Sequence, residues 1–164
     1  MDILDESLLQ FWKSLNRHKV FYIMVGGFAV NMHGFTRLTN DIDLWLKDTL
    51  PNRKNFGKTM SEFGYDGLSW NKMQFVPGWS DFKIGPGIQL DIMTAMKGLN
   101  EISFNKAYSL AKIAIIEEMK VPFLHINQLI ANKKAVNRPK DQIDVIELEK
   151  IVKIQQELDK DNNP

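Results

Sequence analysis

The residue pattern predicts an α+β or α/β domain with a helical cap at its C-terminal end. Three observations carry this: an amphipathic helical opening, a middle of short β-rich runs broken by Gly and Pro, and two helical segments that close the chain. The 164 residues, 19.0 kDa, suit one ordinary domain. We read residues 1–164 as a single unit, with a core over about 18–125 and a helical part over about 126–158.

Leu4, Leu8, Leu9, Phe11, Trp12 and Leu15 fall mainly on one face of a first helix. Residues 20–25 form a continuous apolar run that stops at Gly26-Gly27, the pattern of a buried strand. Residues 28–34 read as a short helix opened by the glycine pair and closed by Gly34. Residues 41–46 alternate acidic and apolar side chains, which predicts a strand with one polar face. Residues 51–63 read as a helix with Pro51 in its first turn and Gly64 just past its end. Strands are predicted over 73–76, 82–84 and 88–94, with weaker ones over 112–116 and 120–124. Helices are predicted over 126–136 and from about 139 to 158, broken at Asn137-Arg138-Pro139.

Composition narrows the function classes. An apolar share of 44% and a charged share of 25% exclude a disordered or collagen-like chain. Lys plus Arg number 21 and Asp plus Glu 20, so the net charge is +1 and any nucleic-acid or membrane partner would need a local patch. The absence of Cys excludes a disulfide framework, a zinc–thiolate or iron–sulfur site and a thiol nucleophile. The first residues are acidic where a signal peptide wants bases. The longest nearly apolar run, 21–30, is far shorter than a membrane span. These features predict a soluble, cytoplasmic protein with no membrane partner.

The chemistry concentrates between Val25 and Leu44. Gly26 and Gly27 end a strand and open a helix, where the backbone approaches a ligand closely and N–H groups are unpaired; a plain turn uses the same residues. Asp41 and Asp43 lie two apart and share a strand face. Side by side they repel, which a divalent cation relieves; a solvated strand edge is the plainer account. Asp91, inside the apolar run 88–94, would bring a third carboxylate if its strand neighbours the first. Three converging carboxylates suit a two-metal site for phosphoryl transfer.

The Gly-Gly pair, thirteen intervening residues, Asp41-Ile42-Asp43-Leu44 and the later Asp91 resemble the signature of the DNA polymerase β-type nucleotidyltransferase superfamily. The segment from Gly26 to Leu44 is especially similar to small bacterial stand-alone nucleotidyltransferases, some tied to antibiotic resistance and some to toxin–antitoxin pairs. Residues 132–144, a Lys/Arg-rich helix followed by Lys140-Asp141 and Asp144, are similar to the end of such proteins. The resemblance implies an α+β fold: a mixed β-sheet of about five strands flanked by helices, with C-terminal helices over the nucleotide. It implies that Gly26 and Gly27 cradle a nucleoside triphosphate, that Asp41 and Asp43 ligate Mg²⁺, two ions in all, and that Asp91 completes the site. The implied reaction moves a nucleoside monophosphate to a hydroxyl and releases pyrophosphate. The acceptor stays open among a small molecule, an RNA end and a protein. A toxin–antitoxin-type protein partner is a further implication, and a non-catalytic nucleotide- or partner-binding module is the rival reading of the same fold.

The basic end agrees on physical grounds. Residues 127–140 hold Lys133, Lys134, Arg138 and Lys140 and no acid, a local charge of +4. Lys133 and Lys134 point about 100° apart on a helix, so one faces the cleft; we expect Lys134. Lys140 and Asp141 read either as cleft residues or as a structural pair, with Asp141 starting the last helix and Asp144 one turn on. Arg37 and Thr39 precede Asp41 and read either as phosphate and carboxylate contacts or as plain loop residues. His33 reads as packed against the core. Trp70, Phe75, Trp79 and Phe82 read as packing residues first and a base-stacking surface second, and residues 71–87 as the seat of acceptor specificity.

Overall fold

A computed structural model of the chain describes residues 5–76 and 82–163. Its elements run α1 (Glu6–Arg17), β1 (Tyr22–Val25), α2 (Gly26–Met32), β2 (Asp41–Leu46), α3 (Leu50–Glu62), β3 (Phe82–Lys83), β4 (Gln89–Met93), α4 (Phe104–Leu110), β5 (Lys112–Ile116), β6 (Met119–Phe123), α5 (Ile126–Val136) and α6 (Pro139–Asn162). The fold is α+β, with a six-stranded mixed sheet in the order β3-β4-β2-β1-β6-β5. The two central pairings differ: β1 runs antiparallel to β2, and β2 runs parallel to β4.

Local chemistry accounts for these elements. α1 starts where the Asp5 side chain accepts from Ser7 N–H, and buries Leu8, Phe11, Trp12 and Leu15 completely. Each such side chain stabilises the fold by roughly 1.5–3 kcal/mol. α1 packs against α3 and β6, while α2 packs on β1 and β2. All four residues of β1 are buried, as befits a strand covered on both faces. In β2 the residues Ile42, Leu44 and Leu46 are wholly buried, leaving Asp41, Asp43 and Trp45 on the opposite face. α5 ends at Asn137 in the left-handed conformation, and Pro139 opens α6.

Three expectations change. Residues 73–76 are not a strand. The Arg53 guanidinium takes the carbonyls of Trp70 (2.9 Å) and Met73 (2.6 Å), and Trp70–Lys72 form a 3₁₀ turn. A side chain thus satisfies backbone that a neighbouring strand would otherwise pair. α4 was not anticipated: it is capped by Ser103, whose hydroxyl accepts from Lys106 N–H, and it buries Ala107 alone, too narrow a stripe to show a period. The sheet has six strands where the resemblance implies about five, and the two-residue β3 falls inside the strand predicted over 82–84. Among the described residues no helix is long and apolar enough to cross a membrane.

Candidate functional site

A cleft of about 680 Å³ opens between the sheet and the α5–α6 pair. One wall comes from β2 and β4. Their parallel register sets Asp43 opposite Asp91 and Asp41 opposite Gln89, with Trp45 opposite Met93. Asp41, Asp43 and Asp91 all line the cleft: Asp41 and Asp43 share one face of β2, and the β4 pairing adds Asp91. Burial, reinforced by the charges of Asp91 and Asp41, pushes the Asp43 carboxyl up to about 6 against the opposing pull of Lys133 and Lys140. The expected convergence is partial, however. Among the described residues no group of three Asp, Glu or His side chains closes into a set able to hold a metal ion.

The glycine pair sits against these acids. Gly26 has φ +67°, and a Cβ there would lie 2.0 Å from Asp43 Oδ2. A Cβ on Gly27 would lie 2.7 Å from Thr39 Oγ1 and 3.2 Å from Arg37 Nη2. Glycine is therefore required for β2 and its leading loop to approach the start of α2, and both glycines line the cleft with Arg37 and Thr39. The loop is fixed by Asn31, a residue the sequence reading passed over. Its side chain accepts from Arg37 N–H (3.0 Å) and donates to Arg37 C=O (2.9 Å).

The facing wall is a network of paired charges. Lys133 Nζ lies 3.1 Å from Asp141 Oδ1 and 3.0 Å from Asp144 Oδ2, and all three side chains are buried. Arg37 reaches the same Asp144, with Nη2 donating to Oδ2 at 2.9 Å and Nε 2.7 Å from Oδ1. Arg138 Nε donates to Asp141 Oδ2 at 2.7 Å, and its backbone N–H reaches the same oxygen at 3.0 Å. Burial alone would push Asp141 up; the hydrogen bonds from Arg138 and Lys133 outweigh it and bring the carboxyl to about 2. Asp141 and Asp144 thus hold the network together, but Arg138 and Lys133 rather than the expected Lys140 meet Asp141.

One placement is overturned. Lys134 does not line the cleft: it is exposed and pairs with Glu149 at 2.6 Å. Lys133 takes the inward position. The apolar spacing of Ile126, Leu129 and Ile130 carries forward to residue 133, so the signal lay in the sequence. Arg138 and Lys140 do line the cleft, together with Lys97 and Asn132, which the sequence reading omitted.

His33 is packed as expected: its Nε2 lies 2.7 Å from Leu124 C=O and its ring stands edge-on to Phe123. Trp70 and Phe75 are buried around Phe56, and Phe82 packs on Trp70, so these aromatics fill the core. Trp79 lies outside the described residues. No described residue of the 71–87 stretch lines the cleft; Met93, Ala95, Met96 and Lys97 border it instead.

The architecture has known counterparts. The lincosamide antibiotic adenylyltransferase LnuA, with lincomycin bound, aligns over 92% of this chain and 99% of its own at 16% identity and a TM-score of 0.58. ANT(2″)-Ia, in complex with adenylyl-2″-tobramycin, aligns over 94% and 96% at 16% identity and a TM-score of 0.55. An antigenic nucleotidyltransferase-like protein from Paracoccidioides brasiliensis aligns over 90% and 73% at 15% identity and a TM-score of 0.54. No protein-family model and no curated protein sequence matches the chain. The chain has the nucleotidyltransferase fold. Sequence identity this low carries the architecture across, and the site must be argued from this chain's own residues.

Proposed function

We propose that the protein is an Mg²⁺-dependent nucleotidyltransferase that moves a nucleoside monophosphate from a nucleoside triphosphate to a hydroxyl of a small-molecule acceptor. The observation that carries this is a single cleft lined by Asp41, Asp43 and Asp91 on one side and by Arg37, Lys133, Arg138 and Lys140 on the other. Acids that repel one another, facing cations, suit a ligand that is itself an anion carrying a hard cation. The small-molecule acceptor draws on the neighbours, one holding lincomycin and another an adenylylated tobramycin. An RNA acceptor and a toxin–antitoxin-type partner draw no support from them.

The donor chemistry fits the metal. Asp41, Asp43 and Asp91 offer hard oxygens on one face, and a cation there would offset both the burial and the neighbouring charges that raise Asp43. These carboxylates would hold the ions, and Mg²⁺ bound there would neutralise phosphate charge and acidify the acceptor hydroxyl. Such ions take one or two carboxylates and complete their shell from substrate phosphate and water, which suits a site without a closed protein cage. Gly26 and Gly27 leave room for the triphosphate to approach the backbone. The cations of the facing wall orient its tail. Asp91 accepts the hydroxyl proton as the acceptor oxygen bonds to the α-phosphorus, the α–β bridging bond breaks, and pyrophosphate departs.

The test is label transfer from each common nucleoside triphosphate with Mg²⁺ and a hydroxylated acceptor library, following pyrophosphate release. Native transfer that Asp41→Asn lowers by at least about a thousandfold, on the scale of lost charge stabilisation at a reacting phosphate, supports the reading. Equal behaviour of native and variant protein would sink it and leave the binding-module reading.

A further inference from the structure

We infer that Lys97 binds the phosphate tail of the nucleoside triphosphate, an inference that rests on the nucleotidyltransferase reading. Arg37, Lys133 and Arg138 are each within ion-pair distance of Asp141 or Asp144, so their charge is already partly spent on the protein. Such pairing fixes where they point but mutes the field they offer a ligand. Lys97 also lines the cleft, is exposed, and has no carboxylate partner among the described residues. Its ammonium therefore offers undivided charge to a phosphate.

The backbone around Lys97 is held against α5. Its carbonyl accepts from Asn132 Nδ2 at 2.9 Å, and Asn132 is itself buried on α5. Gly98 follows with φ +83°, and a Cβ there would lie 2.7 Å from Ala135 Cβ and 2.9 Å from Ala131 C=O. The chain beyond β4 is thus seated directly on α5, and the residue after Asn132 is Lys133 of the charge network. One helix surface thereby fixes both a paired cation and an unpaired one at the cleft. Asn132 is a positioning residue in this account, and Lys97 is the binding residue. Of the two substrates the proposed reaction requires, the triphosphate tail carries the dense negative charge, and a neutral hydroxyl acceptor has no use for a second ammonium.

Equilibrium binding separates the claims. The four common ribonucleoside triphosphates and their monophosphates are titrated, with Mg²⁺, against native protein, Lys97→Met, Lys97→Arg, Asn132→Ala and the Lys97→Met/Asn132→Ala double variant. The expected result is a loss of about tenfold or more in triphosphate affinity for Lys97→Met, the scale of one charge-assisted contact, with monophosphate affinity changed less than about twofold. Lys97→Arg restores triphosphate affinity to within about threefold, because the charge is kept. Asn132→Ala weakens triphosphate binding in the native background and adds nothing in the Lys97→Met background. Unchanged triphosphate affinity in Lys97→Met, or equal losses for triphosphate and monophosphate, overturns the assignment while the nucleotidyltransferase reading stands. A native protein that binds neither nucleotide class and transfers none overturns that reading, and this assignment with it.

Discussion

The two walls of the cleft hold the same residue type in opposite electrostatic states. On the sheet wall, burial and the neighbouring Asp91 and Asp41 push Asp43 up to about 6. On the helical wall, Arg138 and Lys133 hold Asp141 down at about 2 despite complete burial. The sheet wall carries charge at the expense of stability; the helical wall satisfies its own charge internally. Repulsion retained in a folded protein marks where a ligand is needed, and a closed network marks what holds the scaffold in place.

The helical wall depends most heavily on Asp144. This carboxylate is fully buried and meets both Arg37 and Lys133. Asp144→Ala strips both cations of a partner, and should cost about 3–5 kcal/mol of stability in urea unfolding. A loss below about 1 kcal/mol would mean the helical wall is not a closed network. On the sheet wall the sign reverses. Asp43→Asn removes a repelling charge and should stabilise the metal-free protein, by up to about 3 kcal/mol at neutral pH. A raised folded-state pKa contributes stability below the ordinary carboxylate range that is lost as pH rises through about 6. The gain should therefore be full above pH 6 and vanish toward pH 4, as unfolding in chelator at stepped pH would read out.

Asp141 gives the mirror profile. Its depressed pKa contributes stability above the ordinary carboxylate range that disappears as pH falls toward about 2. Native protein should lose about 2 kcal/mol through this group between pH 4 and pH 2. Asp141→Asn should start less stable at neutral pH and show a shallower acid decline. Parallel acid profiles for the two proteins would remove Asp141 from the network.

How much of this was legible depended on whether the signal was local. β2 and its acids followed from a period-2 alternation, and the strand-to-helix turn from Gly26-Gly27, because both patterns lie within a few residues. The partnership of Asp43 with Asp91 is a register across nearly fifty residues, which the residue pattern offers only on condition that the two strands are neighbours. The Arg37–Asp144 contact spans 107 positions and had no sequence trace at all. Residues 73–76 look like a strand because they hold the β-formers Phe75 and Val76, but only Phe75 is buried, and Arg53 rather than a neighbouring strand takes the Met73 carbonyl. Asn31 and Asn132 escaped notice for a related reason: each acts by clasping backbone, which leaves no charge pattern and no motif.

The division between the two faces of α5 falls between adjacent residues, Lys133 and Lys134. Lys134 pairs with Glu149 where both side chains are half exposed, and exposed pairs of this kind contribute at most a few tenths of a kcal/mol. Lys134→Ala should shift stability by less than about 0.5 kcal/mol and leave triphosphate affinity unchanged. Lys133→Ala removes the partner shared by two buried carboxylates and should behave like the Asp144 variant. Two lysines of equal charge, side by side in sequence, are separated only by a 100° turn of helix. Ile126, Leu129 and Ile130 bring Lys133 to the middle of the inward stripe and leave Lys134 outside it. If thermal melts and nucleotide titrations gave the two alanine variants equal losses, the division between a self-satisfied inner wall and a solvated outer face of α5 would be wrong.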